Sequence, residues 1–220
     1  MNNLYNTLFE YNAYPHIDDN DIAMEIINMI HGHTDTNAIS DYYDITGYNK
    51  LDLHNKSKLN ILHINSRSLT KNIDNISAFL ATLSTTPDIL AVTETWLNNS
   101  NKHLYQLPGY HSYHKVRSTR PHGGVTVFVS NHLQSEQLSD LTLINDNIEI
   151  NTIKITLHSI PYIICAIYRP HSKHINVDEF TNSLSFLLQK DIVKQVRRKF
   201  QPQIGATVKC KIVEAFNGFP

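Results

Sequence analysis

The chain has 220 residues, of which 41% are hydrophobic and 18% are charged, as in an ordinary globular protein of one domain with tails. No stretch is long and apolar enough to span a membrane, and no basic and apolar leader predicts secretion. Cys165 and Cys210 are too few for a disulfide framework or a thiolate zinc site. We therefore expect a nuclear or cytoplasmic protein that is neither secreted nor bound to a membrane.

The formal charge of −1 is unevenly distributed along the chain. Residues 1–49 contain eight acidic residues and no Lys or Arg, and only Asp21–Ile30 has the apolar spacing of a helix. We predict that residues 1–58 are an acidic, largely disordered leader. The remainder carries all 19 basic residues and has a positive balance. That balance fits a polyanionic partner such as nucleic acid, and it fits an ordinary solvated surface equally well.

The first predicted elements after the leader form a βαβ unit. Residues 59–64 are apolar and predict a buried strand, and Lys71–Ser84 has apolar residues on one helical face. Pro87 ends the helix, and Asp88–Thr93 predicts a second strand. Because the helix can serve as a crossover, we expect the two strands to be parallel.

Three further strands and one helix are predicted along the rest of the chain. Val125–Val129 is β-branched, whereas Ile148–Ile155 alternates between apolar and polar residues and predicts a strand with one solvated face. Tyr162–Tyr168 is wholly apolar, which indicates a central strand, and Asp178–Lys190 has helical periodicity. This order predicts an α/β protein with a mixed sheet.

Polar residues follow three of the predicted strands. Asn65 and Glu94 come directly after the first two, and Tyr168 and Arg169 close the third. Sites in open α/β sheets are commonly built at strand ends, and these groups suit Mg²⁺ and phosphate better than a soft metal or a thiol nucleophile. They are therefore candidate catalytic residues, with Glu94 as the metal ligand. The alternative is that they are polar residues of the kind that routinely end strands.

Four sequence motifs resemble those of the endonuclease/exonuclease/phosphatase family, in the version found in non-LTR (LINE-like) retrotransposons. Residues 59–69, LNILHINSRSL, resemble the opening motif, and residues 87–97, PDILAVTETWL, resemble the second, whose Glu binds the metal. Residues 107–125 contain the PGY, Arg and GGV of the third, and residues 167–170 contain the YRP of the fourth. The motifs follow the family's order within residues 59–190.

The resemblance implies a four-layer α/β sandwich that cleaves a phosphodiester with Mg²⁺. In LINE-like elements this activity nicks chromosomal DNA and so primes reverse transcription, and it needs no small-molecule cofactor. Carried over by motif, Glu94 binds the metal and Asn65 lies in the phosphate environment. Tyr168 contacts the scissile phosphate, and Arg169 is a further phosphate-binding candidate.

The chain also departs from the family pattern. A GDFN motif, a late Asp and an SDH motif are absent from its 220 residues. Ala215–Asn217 echoes DFN with alanine in place of the acid, which we interpret as a chance similarity. We therefore expect residues 59–190 to be the N-terminal portion of the domain, with an incomplete and inactive site. Residues 191–220 are then an unrelated or frame-shifted basic, strand-like tail.

Two alternatives to an endonuclease fragment stay open from the sequence. The first is a non-catalytic remnant, or a half-domain that binds DNA or another partner without hydrolysis. The second is a phosphatase that acts on a small phosphate ester, which the ETWL and YRP motifs disfavour because they belong to the retroelement branch.

Overall fold

The computed structural model describes residues 11–12, 44–51, 53, 59–118, 122–144, 148–168 and 209–215. Arg169 and the predicted helices Asp21–Ile30 and Asp178–Lys190 lie outside these residues. The helices and strands in chain order are β1 (Tyr11–Asn12), α1 (Ile45–Tyr48), β2 (Ile61–Asn65), α2 (Leu69–Ala81), β3 (Ile89–Thr93), β4 (Tyr110–Lys115), β5 (Val125–Ser130), β6 (Gln134–Gln137), β7 (Leu143–Ile144), β8 (Glu149–Leu157), β9 (Ile160–Tyr168) and β10 (Lys209–Ala215).

The strands divide between two sheets. In the first sheet the order is β2-β3-β5-β4, with β2 and β3 parallel across the α2 crossover, as predicted. In the second sheet the order is β1-β10-β9-β8-β6, and β7 also pairs with β8. β8 and β9 form an antiparallel hairpin, while β10 runs parallel to β9 and places Ala215 opposite Tyr168.

The two sheets pack face to face over an apolar core. Inward residues of both sheets alternate along their strands and are buried, namely Ile89, Ala91, Val125, Val127, Val129, Ile153, Ile155, Tyr162, Ile164, Ala166 and Tyr168. The outer face of the first sheet packs Leu90, Val92 and Phe128 against Leu69, Ile76 and Leu80 of α2. The described residues thus supply a helix layer and two sheet layers, which confirms the predicted α/β class.

A short part of the acidic N-terminal segment lies against the end of α2. Asp44 caps α1 by accepting a 2.6 Å hydrogen bond from the Gly47 N–H. Asn49 then donates to the Thr82 carbonyl at 2.9 Å and accepts from the Ser84 N–H at 2.8 Å. These contacts attach residues 44–51 to the loop after α2.

Among the described residues, no helix has the length and apolar content needed to cross a membrane.

Three polar residues in the first part of β8 are buried, so the predicted wet face is limited to the later part of the strand, where the Lys154 side chain is 26% exposed. Glu149, Asn151 and Thr152 are fully buried. Asn151 donates to the Tyr113 and Val125 carbonyls across the inter-sheet space, at 2.8 and 3.2 Å. The apolar residues of this strand change from even to odd positions at Asn151 and Thr152, so Glu149 and Asn151 share the inward face with Ile153 and Ile155.

Buried His63 makes the fold sensitive to acid. Burial lowers the pKa of His63 from 6.5 to about 4, and its ring contacts the Thr93 hydroxyl at 3.2 Å. As the pH falls, the unfolded chain therefore binds a proton at His63 at a higher pH than the folded chain does. Protonation of the unfolded chain lowers the free energy of unfolding as the pH falls from 6.5 to 4. We expect a loss of up to about 3 kcal/mol in the free energy of unfolding from this group.

Urea denaturation at pH 7 and pH 4.5 measures this effect, with His63→Gln as the test variant and His111→Gln, at an exposed histidine of β4, as the matched control. The pH dependence of stability should shrink in the His63 variant and persist in the His111 variant. The same pH dependence in both variants would show that His63 is not the responsible group.

Candidate active site

Three of the four predicted site residues meet at the carboxyl ends of strands from both sheets. Asn65 ends β2, Glu94 follows β3, and Tyr168 ends β9 of the other sheet. The Asn65 Nδ2 donates to Glu94 Oε1 at 3.1 Å, and the Tyr168 hydroxyl donates to the same oxygen at 2.9 Å. The candidate site therefore lies at the mouth of the sandwich, between two sheets, and not along the edge of one sheet as the strand order alone suggested.

The backbone beyond β2 and β3 is bonded irregularly and turns Glu94 out of the ladder. The Ser66 N–H donates to the Thr93 carbonyl at 2.9 Å, and the Ser68 N–H donates to the Glu94 carbonyl at 2.8 Å. Glu94 itself has a φ of 53° and Trp96 a φ of 55°, which is the left-handed region that residues other than glycine rarely adopt. Such strain persists only where neighbouring bonds hold it, and it commonly accompanies functional sites.

The hydrogen bonds fix the state of the two donors to Glu94. Asn65 Oδ1 accepts from the Arg67 N–H at 3.2 Å, so the Asn65 amide nitrogen is the atom turned toward the carboxylate. Burial, followed by the charge of Glu94, raises the pKa of the Tyr168 hydroxyl. Tyr168 is therefore a neutral phenol at physiological pH and donates a hydrogen bond to Glu94.

A buried ion pair lies beside these residues. The Arg117 guanidinium contacts Glu149 Oε1, with the two side chains 9% and 0% exposed. The other oxygen, Glu149 Oε2, accepts a 2.6 Å hydrogen bond from the Gly124 N–H. Burial raises the pKa of the Glu149 carboxyl, while Arg117 and the Gly124 N–H stabilise its ionised form.

The sequence analysis did not single out Glu149. Arg117, Gly123 and Gly124 belong to a recognised motif, but Glu149 stands in an alternating strand where a carboxylate ordinarily faces water. The available signal was the change in parity of the apolar residues in β8, which places Glu149 on the inward face.

The donor set can be compared with the needs of a divalent cation. Glu94 supplies a carboxylate, which is a hard oxygen ligand, and the nearby Asn65 amide and Tyr168 phenol donate hydrogen bonds to it. Within the described part of the chain, no group of three His, Cys, Asp or Glu side chains could hold a metal ion. The residues fit a Mg²⁺ that is held by one carboxylate and otherwise keeps its waters, which is a common form of Mg²⁺ binding.

Comparison with family models places the chain by its sequence. Residues 59–199 match the model of the Endonuclease/Exonuclease/phosphatase family. This chain belongs to that family. Its two-sheet α/β fold is the family's fold, as the sequence motifs implied. A search of curated proteins gives no match.

The chain is also similar to several solved structures at low sequence identity. The endonuclease domain of TRAS1, a telomere-specific non-LTR retrotransposon, is 16% identical with a TM-score of 0.43, covering 74% of this chain and 61% of that one. The human Nocturnin catalytic domain is 15% identical with a TM-score of 0.47, covering 74% of this chain and 65% of that one. The 3′-5′ exonuclease from Neisseria meningitidis is 17% identical with a TM-score of 0.42, covering 72% of this chain and 58% of that one. The chain spans about three-fifths of the first structures that it matches.

Proposed function

We propose that this chain is part of a Mg²⁺-dependent DNA-nicking endonuclease of a non-LTR retrotransposon, associated with a reverse transcriptase and acting in the nucleus or cytoplasm. The observation that carries the proposal is that Asn65 and Tyr168 both donate hydrogen bonds to one carboxylate oxygen of Glu94. The family supplies the reaction class, which is phosphoester hydrolysis. The retroelement motifs of residues 87–97 and 167–170 favour DNA over a small phosphate ester.

Each site residue has a role that its chemistry permits. Glu94 is the ligand that would hold Mg²⁺, which when bound stabilises negative charge on the phosphate oxygens. Tyr168 is a neutral donor beside that ligand and can pass its hydrogen bond from Glu94 to a phosphate oxygen. Asn65 donates its amide hydrogens on the same side. Arg169 stays a candidate for a neighbouring phosphate.

We further propose that the 220-residue chain alone does not nick DNA. Hydrolysis needs a positioned water as well as a metal, and removing one well-placed group commonly costs about 10²–10³ in rate. Glu94 is the one carboxylate that meets Asn65 and Tyr168 in the described residues, and the chain lacks the GDFN and SDH motifs. A non-catalytic DNA-binding role is the alternative, and the absence of hydrolysis alone does not separate it from this proposal.

Cation binding by Glu94 tests the proposed function directly. Trp96 is the only tryptophan and lies two residues from Glu94, so it can sensitise luminescence of Tb³⁺, a hard cation that stands in for Mg²⁺. We expect saturable Tb³⁺ luminescence that Mg²⁺ displaces. Glu94→Gln should weaken Tb³⁺ binding by more than about tenfold, because the change removes the anionic ligand and keeps its shape.

Glu136→Gln is the matched control, because it makes the same change at an exposed ion pair with Lys154 on the second sheet. Equal Tb³⁺ affinity in the wild type and in Glu94→Gln would overturn the metal site. A parallel plasmid-relaxation assay compares the wild type with Glu94→Ala. Mg²⁺-dependent nicking by the wild type alone would refute the proposed inactivity and leave the endonuclease assignment in place.

A further inference from the structure

The Arg117–Glu149 pair joins the two sheets at the mouth of the site. Arg117 follows β4 of the first sheet, whereas Glu149 begins β8 of the second. Glu149 is also the cross-strand partner of Tyr168. One carboxylate therefore connects the strand that carries Tyr168 to the loops that surround Glu94.

The connection continues through the Gly123–Gly124 turn. Glu149 Oε2 holds the Gly124 N–H at 2.6 Å, and the carbonyls of this turn hold the residues after Glu94. The Trp96 N–H donates to the Gly123 carbonyl at 2.8 Å, and the Thr95 N–H donates to the Gly124 carbonyl at 3.3 Å. The hydrogen bond from Tyr168 to Glu94 then connects this segment back to β9, the strand that pairs with Glu149.

Only glycine fits this turn. Gly123 and Gly124 have φ values of 92° and 89°, and a Cβ on Gly123 would lie 2.3 Å from Glu149 Oε1. A Cβ on Gly124 would lie 2.5 Å from the Thr95 hydroxyl oxygen. The turn is thus pressed directly against the ion pair on one side and the Glu94 segment on the other.

We propose that Glu149, oriented by Arg117, is a positioning residue that fixes Glu94 relative to Tyr168. This inference rests on the proposed function, since it concerns the same site. A buried ion pair contributes little net stability compared with apolar residues of similar volume, so stability alone does not account for its place here. Its two carboxylate oxygens instead join Arg117 to the backbone turn that holds the strained Glu94 segment.

The test removes the ion pair without leaving a buried charge. In Arg117→Met with Glu149→Leu, the Gly124 N–H loses its acceptor. In Arg117→Met with Glu149→Gln, a neutral acceptor stays. We expect Tb³⁺ affinity to fall about 10- to 100-fold in the Met/Leu protein and to recover largely in the Met/Gln protein. Glu136→Gln should not change it.

A second measurement makes the outcome independent of metal binding. Hydrogen exchange at the Thr95 and Trp96 amides should accelerate at least tenfold in the folded Met/Leu protein, while exchange in the β2–β3 ladder stays unchanged. Unchanged exchange at both amides would overturn the positioning role, even if the wild type binds no cation and the proposed function fails. Should Met/Leu not fold, Glu149→Asp replaces it, since its shorter carboxylate cannot reach both partners, and the same two readouts decide.

Discussion

Replacing Glu149 alone with glutamine is expected to lower the free energy of unfolding by about 3–5 kcal/mol, because it leaves the Arg117 guanidinium buried without its counter-charge. Arg117 is 9% exposed and cannot regain water without opening the mouth of the sandwich. Urea denaturation followed by Trp96 fluorescence measures the loss. The double change Arg117→Met with Glu149→Gln should recover most of it, since no unpaired charge stays behind.

Glu136→Gln again supplies the comparison for this prediction. Its partner Lys154 is only 26% exposed, but Glu136 is 60% exposed, and pairs of this kind contribute about 0–1 kcal/mol. A Glu149→Gln protein as stable as Glu136→Gln would show that the buried pair does not carry a charge-dependent share of the stability.

Replacing Gly123 with alanine is the second change with a large expected effect. A left-handed φ costs an L-residue about 1–2 kcal/mol, and the new Cβ would lie 2.3 Å from Glu149 Oε1 and 2.9 Å from Arg117 Nε. Overpacking of this kind adds about 1–3 kcal/mol. We expect a total loss of about 3 kcal/mol, measured by urea denaturation.

Gly109 gives a matched control for the steric part of that loss. Its φ is 84°, close to that of Gly123, but a Cβ placed there meets nothing within 4 Å. Gly109→Ala should therefore cost only the backbone strain of about 1 kcal/mol. Equal losses at the two glycines would mean that the ion pair moves freely and does not press on the turn.

The placement of three candidate site residues at strand ends was predictable from the sequence. Asn65, Glu94 and Tyr168 each end an apolar run, and strand ends lie at one edge of a parallel sheet. The sequence pattern did not reveal that Tyr168 belongs to a second sheet, because period-two alternation marks a strand without naming its neighbours. The structure supplied the pairing of β9 with β8 and the face-to-face packing that brings Tyr168 to Glu94.

The partners of the buried polar residues were not predictable from pattern alone. Glu149 and Asn151 are inward-facing because their partners, Arg117 and the Tyr113 and Val125 carbonyls, come from the other sheet. Such partners lie far away along the chain, so the local pattern can show which face these side chains occupy but not what they bind. Ala215 is a related case, because no local pattern predicted that β10 would place it opposite Tyr168. The sheet register is the information that the sequence lacked.

The pairing of β9 with β10 also has a consequence during synthesis of the protein. β9 is apolar along nearly its whole length, and its outer edge is covered by Lys209–Ala215, which lies about 40 residues further along the chain. At about 5–20 residues per second, a ribosome takes roughly 2–8 seconds to add that covering strand. During this interval β9 has unpaired backbone groups on one edge, which neighbouring nascent chains can bind. Slower translation at lower temperature lengthens this interval. Because the exposed edge can bind only chains that lie nearby, aggregation of nascent chains on one messenger RNA is expected to depend on how closely the ribosomes follow one another.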